Sequence, residues 1–318
     1  MDNAKRESFS RKLIAVAVLA PLVTLSGCWL DDDDDDDDVP AEYSAEGRAY
    51  DGYLANALVC VDLNLNKSCD SNEPSDTTDA DGAFNITGLS SRQARLPLVM
   101  EATGQTTDTD DGLPVSPNLK YTAPAGSTRI SVFSTVIQSR IEAALAAGSS
   151  ASLADLKQQA TESVALDLGV TGIDLTTYDP IEVKNSTDND DSTRRSAAQL
   201  HLINQVLSEQ IITLVPQAEA NANGQTEAAF GASINNLDIS DVAAAVENDT
   251  SGLATQDIVQ ADESQVTTEV QPDVPTTTEI DDQAAEDEEA DEGINDRVDG
   301  GDDGTGGTGG TGGTGGTI

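Results

Sequence analysis

Aromatic residues make up only 3% of this 318-residue chain, and one tryptophan, one histidine, three cysteines and sixteen basic residues stand against 58 acidic ones. Each shortage narrows the range of functions. Sugar platforms need exposed rings, and the single tryptophan, Trp29, follows directly on a cysteine that reads as a membrane anchor. A metal site built on imidazoles needs more than His201, which lies between Leu200 and Leu202 in a helical run and reads as a helix-surface or packed residue. A formal charge of −42 repels phosphate and argues against nucleic acid as a partner. The chain has no Gly-x-Ser-x-Gly elbow and no phosphate-cradling glycine loop ahead of a helix. Carboxylate pairs in so acidic a sequence single out no acid–base couple. On these grounds the chain reads as non-enzymatic. Beyond residue 28 no stretch is long and apolar enough to span a bilayer.

What is present begins with Lys5, Arg6, Arg11 and Lys12, an apolar run from Leu13 to Val23, and Leu25-Ser26-Gly27-Cys28. The apolar run is about half the ~20 residues of a spanning helix, so the segment reads as a cleaved secretory signal covering residues 1–27. Leu25-Ser26-Gly27-Cys28 resembles the lipobox of bacterial lipoproteins. That resemblance implies acylation of Cys28 as the first residue of the mature chain and a place in the cell envelope, in the outer membrane, facing the periplasm or the cell surface. The membrane is then a partner through the lipid, and the folded part has an unidentified protein or glycan partner. Cleavage takes away four basic and two acidic residues and deepens the formal charge from −42 to −44, which attracts divalent cations. An unbroken run from Asp31 to Asp38, closed by Pro40, is held extended by its own repulsion. It serves as a tether over 28–43 or as a sorting signal.

The architecture expected from the pattern is α+β: a small antiparallel β-sandwich over 44–126 followed by an all-α domain over 127–262. Short apolar runs at Arg48–Tyr50, Ala57–Val61, Ala83–Ile86 and Leu96–Glu101 alternate with turn residues. The turn at 78–84 places Gly82 where positive φ is wanted and points Phe84 to the core. Residues 121–127 read as a junction. Phe133, Val136, Ile137, Ile141 and Leu145 then recur at helical spacing. A second helix starts at Ser152, carries Leu153 to Leu168 and stops at Gly169. A third runs from Thr193 to Val215, ended by Pro216. Shorter ones are expected over 227–236 and over 240–247, the latter capped by Ser240. Residues 263–318 lose the apolar period, gather acid and end in Gly-Gly-Thr repeats, which predicts a disordered tail.

Cys60 and Cys69 are an even pair in an oxidising compartment once Cys28 carries lipid, and they read as a disulfide. The second cysteine lies inside the segment that carries the most chemistry. Residues 62–73 put oxygen side chains at loop positions 1, 3, 5, 9 and 12, namely Asp62, Asn64, Asn66, Asp70 and Glu73, and Ser68 at position 7 offers its carbonyl. This is calcium-loop spacing, and Ca2+ would be structural. Lys67 departs from it, because position 6 ordinarily holds glycine for a sharp turn, and its charge points to weak binding, about 10⁻⁴ to 10⁻³ M. An Asx-rich hairpin without an ion has the same composition. Strands flank the loop, and with the Thr78-to-Phe84 turn, residues 57–86 resemble the calcium-loop β-sandwich repeats of bacterial surface proteins called SdrD B-like, and carboxypeptidase regulatory-like domains. The resemblance implies a non-catalytic spacer or binding module. The other reading is an envelope enzyme, or an enzyme accessory, acting on polysaccharide or peptide. A pocket with convergent carboxylates or hydroxyls between residues 130 and 250 would be its mark.

Overall fold

The first strand, β1 (Tyr43–Ala49), pairs antiparallel with β5 (Ala83–Leu89), whose Phe84 and Ile86 are buried on either side of exposed Asn85, and Gly47 faces Phe84. The computed structural model describes residues 42–266 and 271–300, so the expected secretory signal, Cys28, the aspartate run and the Gly-Gly-Thr repeats lie outside the described residues. On its other side β1 takes β9 (Arg129–Ile130) in parallel, completing a three-stranded sheet. A four-stranded antiparallel sheet runs in the order β4 (Ser75–Thr77), β3 (Leu58–Val61), β6 (Leu98–Glu101), β8 (Lys120–Ala123). β2 (Leu54–Ala55) and β7 (Thr107–Asp108) make a separate two-stranded ladder. Phe84, Ile86 and Leu89 of the first sheet and Val59, Val61, Met100 and Tyr121 of the second enter one core. Gly82 has φ +70°, and a Cβ there would lie 2.5 Å from the Ala49 carbonyl, so the expected turn does require glycine.

The fold is α+β, and among the described residues eight helices follow the strands. No boundary between cores falls at residue 126. β8 overlaps the stretch expected to be a junction, and its Thr122 is tied to the first helix, α1 (Val132–Ala146): Thr135 Oγ1 accepts from the Thr122 amide at 3.0 Å and Ser134 Oγ donates to its carbonyl at 2.8 Å. One hydrophobic cluster runs from Ala49 to Val298, through strands and helices alike. α2 (Leu153–Asp167) starts at Ser152 as the capping pattern indicates, and α5 (Thr226–Asn235) sits where its period placed it. α3 (Pro180–Asn185) and α7 (Thr255–Val259) are short helices that the pattern did not mark.

Three differences have physical causes. α4 (Asp191–Asn221) continues through Pro216, because Ala218 and Ala222 beyond it pack with α5 and Ile280, and that burial outweighs the ~3 kcal/mol a helix-interior proline costs. α6 (Ile239–Thr250) is capped by Asp238, whose carboxylate accepts from the Asp241 amide, and not by Ser240. The third concerns the tail expected to be disordered over 263–318. Its acidic segment is a 23-residue helix, α8 (Thr277–Asp299), opened by a Thr276–Glu279 capping box. Ile280, Ala290, Ile294 and Val298 are buried on one stripe against α1 and α5. Buried Gln283 and Asp287 lie on the same stripe, and these two polar residues hide the period from a hydropathy reading.

Candidate functional site

The aspartate loop leaves the central strand β3 and is closed by the Cys60–Cys69 disulfide, whose Cα atoms are 5.6 Å apart. Asp62 is buried and turns both carboxylate oxygens onto the loop backbone, accepting from the amides of Asn66 at 3.1 Å and Lys67 at 2.8 Å. Glu73 bridges the loop's two ends by accepting from the Leu63 amide at 2.7 Å and the Asp70 amide at 2.9 Å. Asn64 and Asn66 both donate side-chain N–H to Asp70 Oδ2, at 2.9 and 3.1 Å, and the Ser68 amide donates to Asn66 Oδ1. The structure thus brings positions 3, 5 and 9 together, while positions 1 and 12 brace the backbone. Among the described residues no three His, Cys, Asp or Glu side chains are grouped so as to hold a metal ion. The carboxylate oxygens that accept one N–H each keep a second lone pair. Burial, reinforced by the nearby Glu73 charge, outweighs the amide hydrogen bonds and pushes the Asp62 carboxyl up to about 7.

Lys67 adopts φ 56°, the left-handed conformation that glycine would take at position 6. Its side chain leaves the loop and ends among carboxylates of three helices: Asp287 at 2.9 Å, Glu227 at 3.3 Å and Glu142 at 3.5 Å. Burial alone would lower the ammonium pKa, and the three carboxylates together raise it instead. Burial and the same carboxylates push neighbouring Asp291 up to about 8, against the lowering pull of Lys67. The residue that departs from the loop pattern therefore joins the loop to α1, α5 and α8.

A second constellation escaped the sequence reading. His201, Asn204, Gln205 and Ser208 recur at helical spacing along α4, all buried, and face the loops after β1 and β7. Lys184, on α3 behind the Asp179 cap, lies 2.6 Å from His201 Nδ1. An ammonium can only donate, so Nδ1 accepts and Nε2 carries the proton, donating to the Asp51 carbonyl at 2.6 Å. Burial, then the Lys184 charge, depresses His201 to about 3, so the ring is neutral. Ser208 donates to Asp51 Oδ1 at 2.8 Å and stands 2.5 Å from the Tyr121 hydroxyl, while Asn204 donates to the same Asp51 oxygen at 3.0 Å. Burial and the Asp108 charge hold the Asp51 carboxyl well above the ordinary range.

Of these groups Asp51, Lys184 and Gln205 line a cleft of about 620 Å³ that also takes in Asp108, Asp110, Asp111, Glu209 and Glu263. Gly52 allows the wall to close: its amide donates to Asp108 Oδ2 at 2.8 Å, and a Cβ there would lie 2.0 Å from Asp108 Oδ1. Burial raises Asp108 to about 6 despite that amide and the one from Asp110. The signal for this buried network is the polar stripe 201, 204, 205 and 208 beside the apolar stripe of the same helix; of these the sequence singles out His201 alone, as a helix-surface or packed residue, and it is packed. No family model, curated protein or solved structure matches the chain.

Proposed function

We propose that this chain is a lipid-anchored protein of the bacterial cell envelope, acylated at Cys28, whose folded part is a non-enzymatic, calcium-stabilised binding module. The observation that carries the reading is Lys67, because the backbone turn at the apex of the 62–73 loop and the placement of three helices depend on the same residue. An ion that stiffens this loop stiffens the whole body. Asp62, Asn64, Asn66, Asp70 and Glu73, with the Ser68 carbonyl, are the oxygens that would hold Ca2+. The Asn64 and Asn66 amides already converge on Asp70, and a half-turn of each replaces N–H by oxygen at the same spot. Support for binding over catalysis comes from the buried polar network on α4, in which both ring nitrogens of His201 and the Ser208 hydroxyl are engaged by neighbours.

At calcium tenfold above Kd the gain is about 1.4 kcal/mol, readable as a higher melting midpoint of the full chain over its chelated form. The rise is expected to vanish in Asp70→Ala. It should also be larger at pH 8 than at pH 6, since a proton on Asp62 competes with the ion below about 7. An equal rise in the variant, or none in the wild type, removes calcium from the proposal. Loss of palmitate incorporation in Cys28→Ser checks the anchor independently. The enzyme reading has one observation in its favour, the Asp108 carboxyl held at about 6 at the cleft. Under it, Asp108→Asn would abolish turnover of envelope polysaccharide or peptide and leave the calcium response unchanged.

A further inference from the structure

The acidic cleft beside α4 has an imbalance that its own residues do not resolve. Among the described residues Lys184 is the one cation lining it, 4.0 Å from Asp110, and no basic group comes within 4.0 Å of Asp111, Glu209 or Glu263. Gln205 is 8% exposed and lines the cleft; its Nε2 donates to Asp110 Oδ2 at 3.3 Å, and its Oε1 finds no donor among the described residues. A buried acceptor without a donor is costly, and a ligand that brings N–H groups relieves it. Part of the lining is apolar. Leu113 is 60% exposed, and Pro114, Val115 and Ile212 continue its surface into the cleft. Carboxylates on low-dielectric walls focus a negative field into the enclosed volume, which is of the size that small ligands occupy.

We infer that this cleft is a binding site for alkylammonium groups: an aliphatic stem against Leu113, Pro114 and Val115, with cationic N–H donors on Asp110, Glu263 and Gln205 Oε1. An amine is favoured over a bare divalent ion because the apolar part of the lining matches a carbon chain. The chemistry is shared by free polyamines and by lysine side chains of a peptide. This inference goes beyond the calcium reading and shares no residue with the 62–73 loop.

The test is calorimetric titration of the full chain with spermidine, and separately with trilysine, at physiological ionic strength and with calcium chelated. Saturation at one equivalent is expected. Kd should rise at least tenfold in Asp110→Asn/Glu263→Gln, and also in Asp111→Asn/Glu263→Gln, in which Asp110 and its contacts are retained. A control with the same charge change elsewhere, Glu162→Gln/Glu289→Gln, should bind as the wild type does. The tighter of the two probes assigns the source, free polyamine or peptide. Equal weakening in the cleft and control variants would mean that the amines follow the overall charge, and would overturn the site. So would the absence of saturable binding by either probe, or displacement of spermidine by millimolar Mg2+ at matched ionic strength.

Discussion

Lys67 holds two opposed effects in one residue. A left-handed backbone in a residue with a Cβ costs on the order of 1 kcal/mol, which Lys67→Gly would recover. The same substitution would leave Glu142, Glu227 and Asp287 facing one another in a largely buried space without their cation, and breaking such a group costs about 3 to 5 kcal/mol. The second effect wins. Lys67→Gly and Lys67→Met are both expected to destabilise the protein in chemical denaturation, glycine by less if its backbone gain survives. A net stabilisation by either would show that the ammonium is not holding the helices. The sequence marked Lys67 as a defect in a calcium pattern. It could not show where the side chain goes, since its three partners lie 75, 160 and 220 residues further on.

Among the elements, α8 departs furthest from expectation. The Thr276–Glu279 capping box and the positions of Ile280, Ala290, Ile294 and Val298 are all legible in the sequence. The excess of acid over apolar residues makes the segment look solvated, and an isolated helix of that composition would gain little from its own propensities. Packing against α1 and α5, with Arg92 bonded to Asp299 and Arg297 to the Ala151 carbonyl, supplies what the segment lacks. Ile294→Ala should therefore cost about 2 to 4 kcal/mol in equilibrium unfolding, the range for a buried aliphatic side chain. An unchanged midpoint would return this segment to the status of a tail. α4 shows the complementary case. Its apolar stripe was read correctly, and its polar stripe was missed because burial on two sides is a property of the neighbours and not of the helix.

For the whole molecule the dominant physical quantity is charge. Asp62, Asp108 and Asp291 are held in the folded chain at about 7, 6 and 8, above the ~3.9 of an unfolded aspartate. Between about pH 4 and pH 8 the folded state thus binds more protons than the unfolded one, and these groups make stability fall as pH rises through that window. Repulsion within a chain of formal charge −42 acts in the same direction. The melting midpoint is expected to be higher near pH 5 than at pH 8.5. Asp291 faces Glu142 from α1, Glu227 from α5, Asp287 on its own helix and Lys67 from the loop, so Asp291→Asn should flatten the upper end of that slope, between pH 7 and 8.5. A midpoint that climbs steadily with pH would contradict the assignment.

The sequence by itself determined the local features: an α+β order of elements, the glycine turn at 82, the apolar period of α1, the start of α2, the Cys60–Cys69 pair and an oxygen-rich loop after β3. Each depends on residues a few positions apart, where caps, turns and periodicity act. Only the tertiary structure decided that strands and helices share one core, that α4 runs through its proline, that the acidic C-terminal segment folds, and that the polar stripe of α4 is buried against the loops after β1 and β7. Those outcomes come from burial between distant segments, which offsets local costs of a few kcal/mol and leaves no trace in short-range spacing.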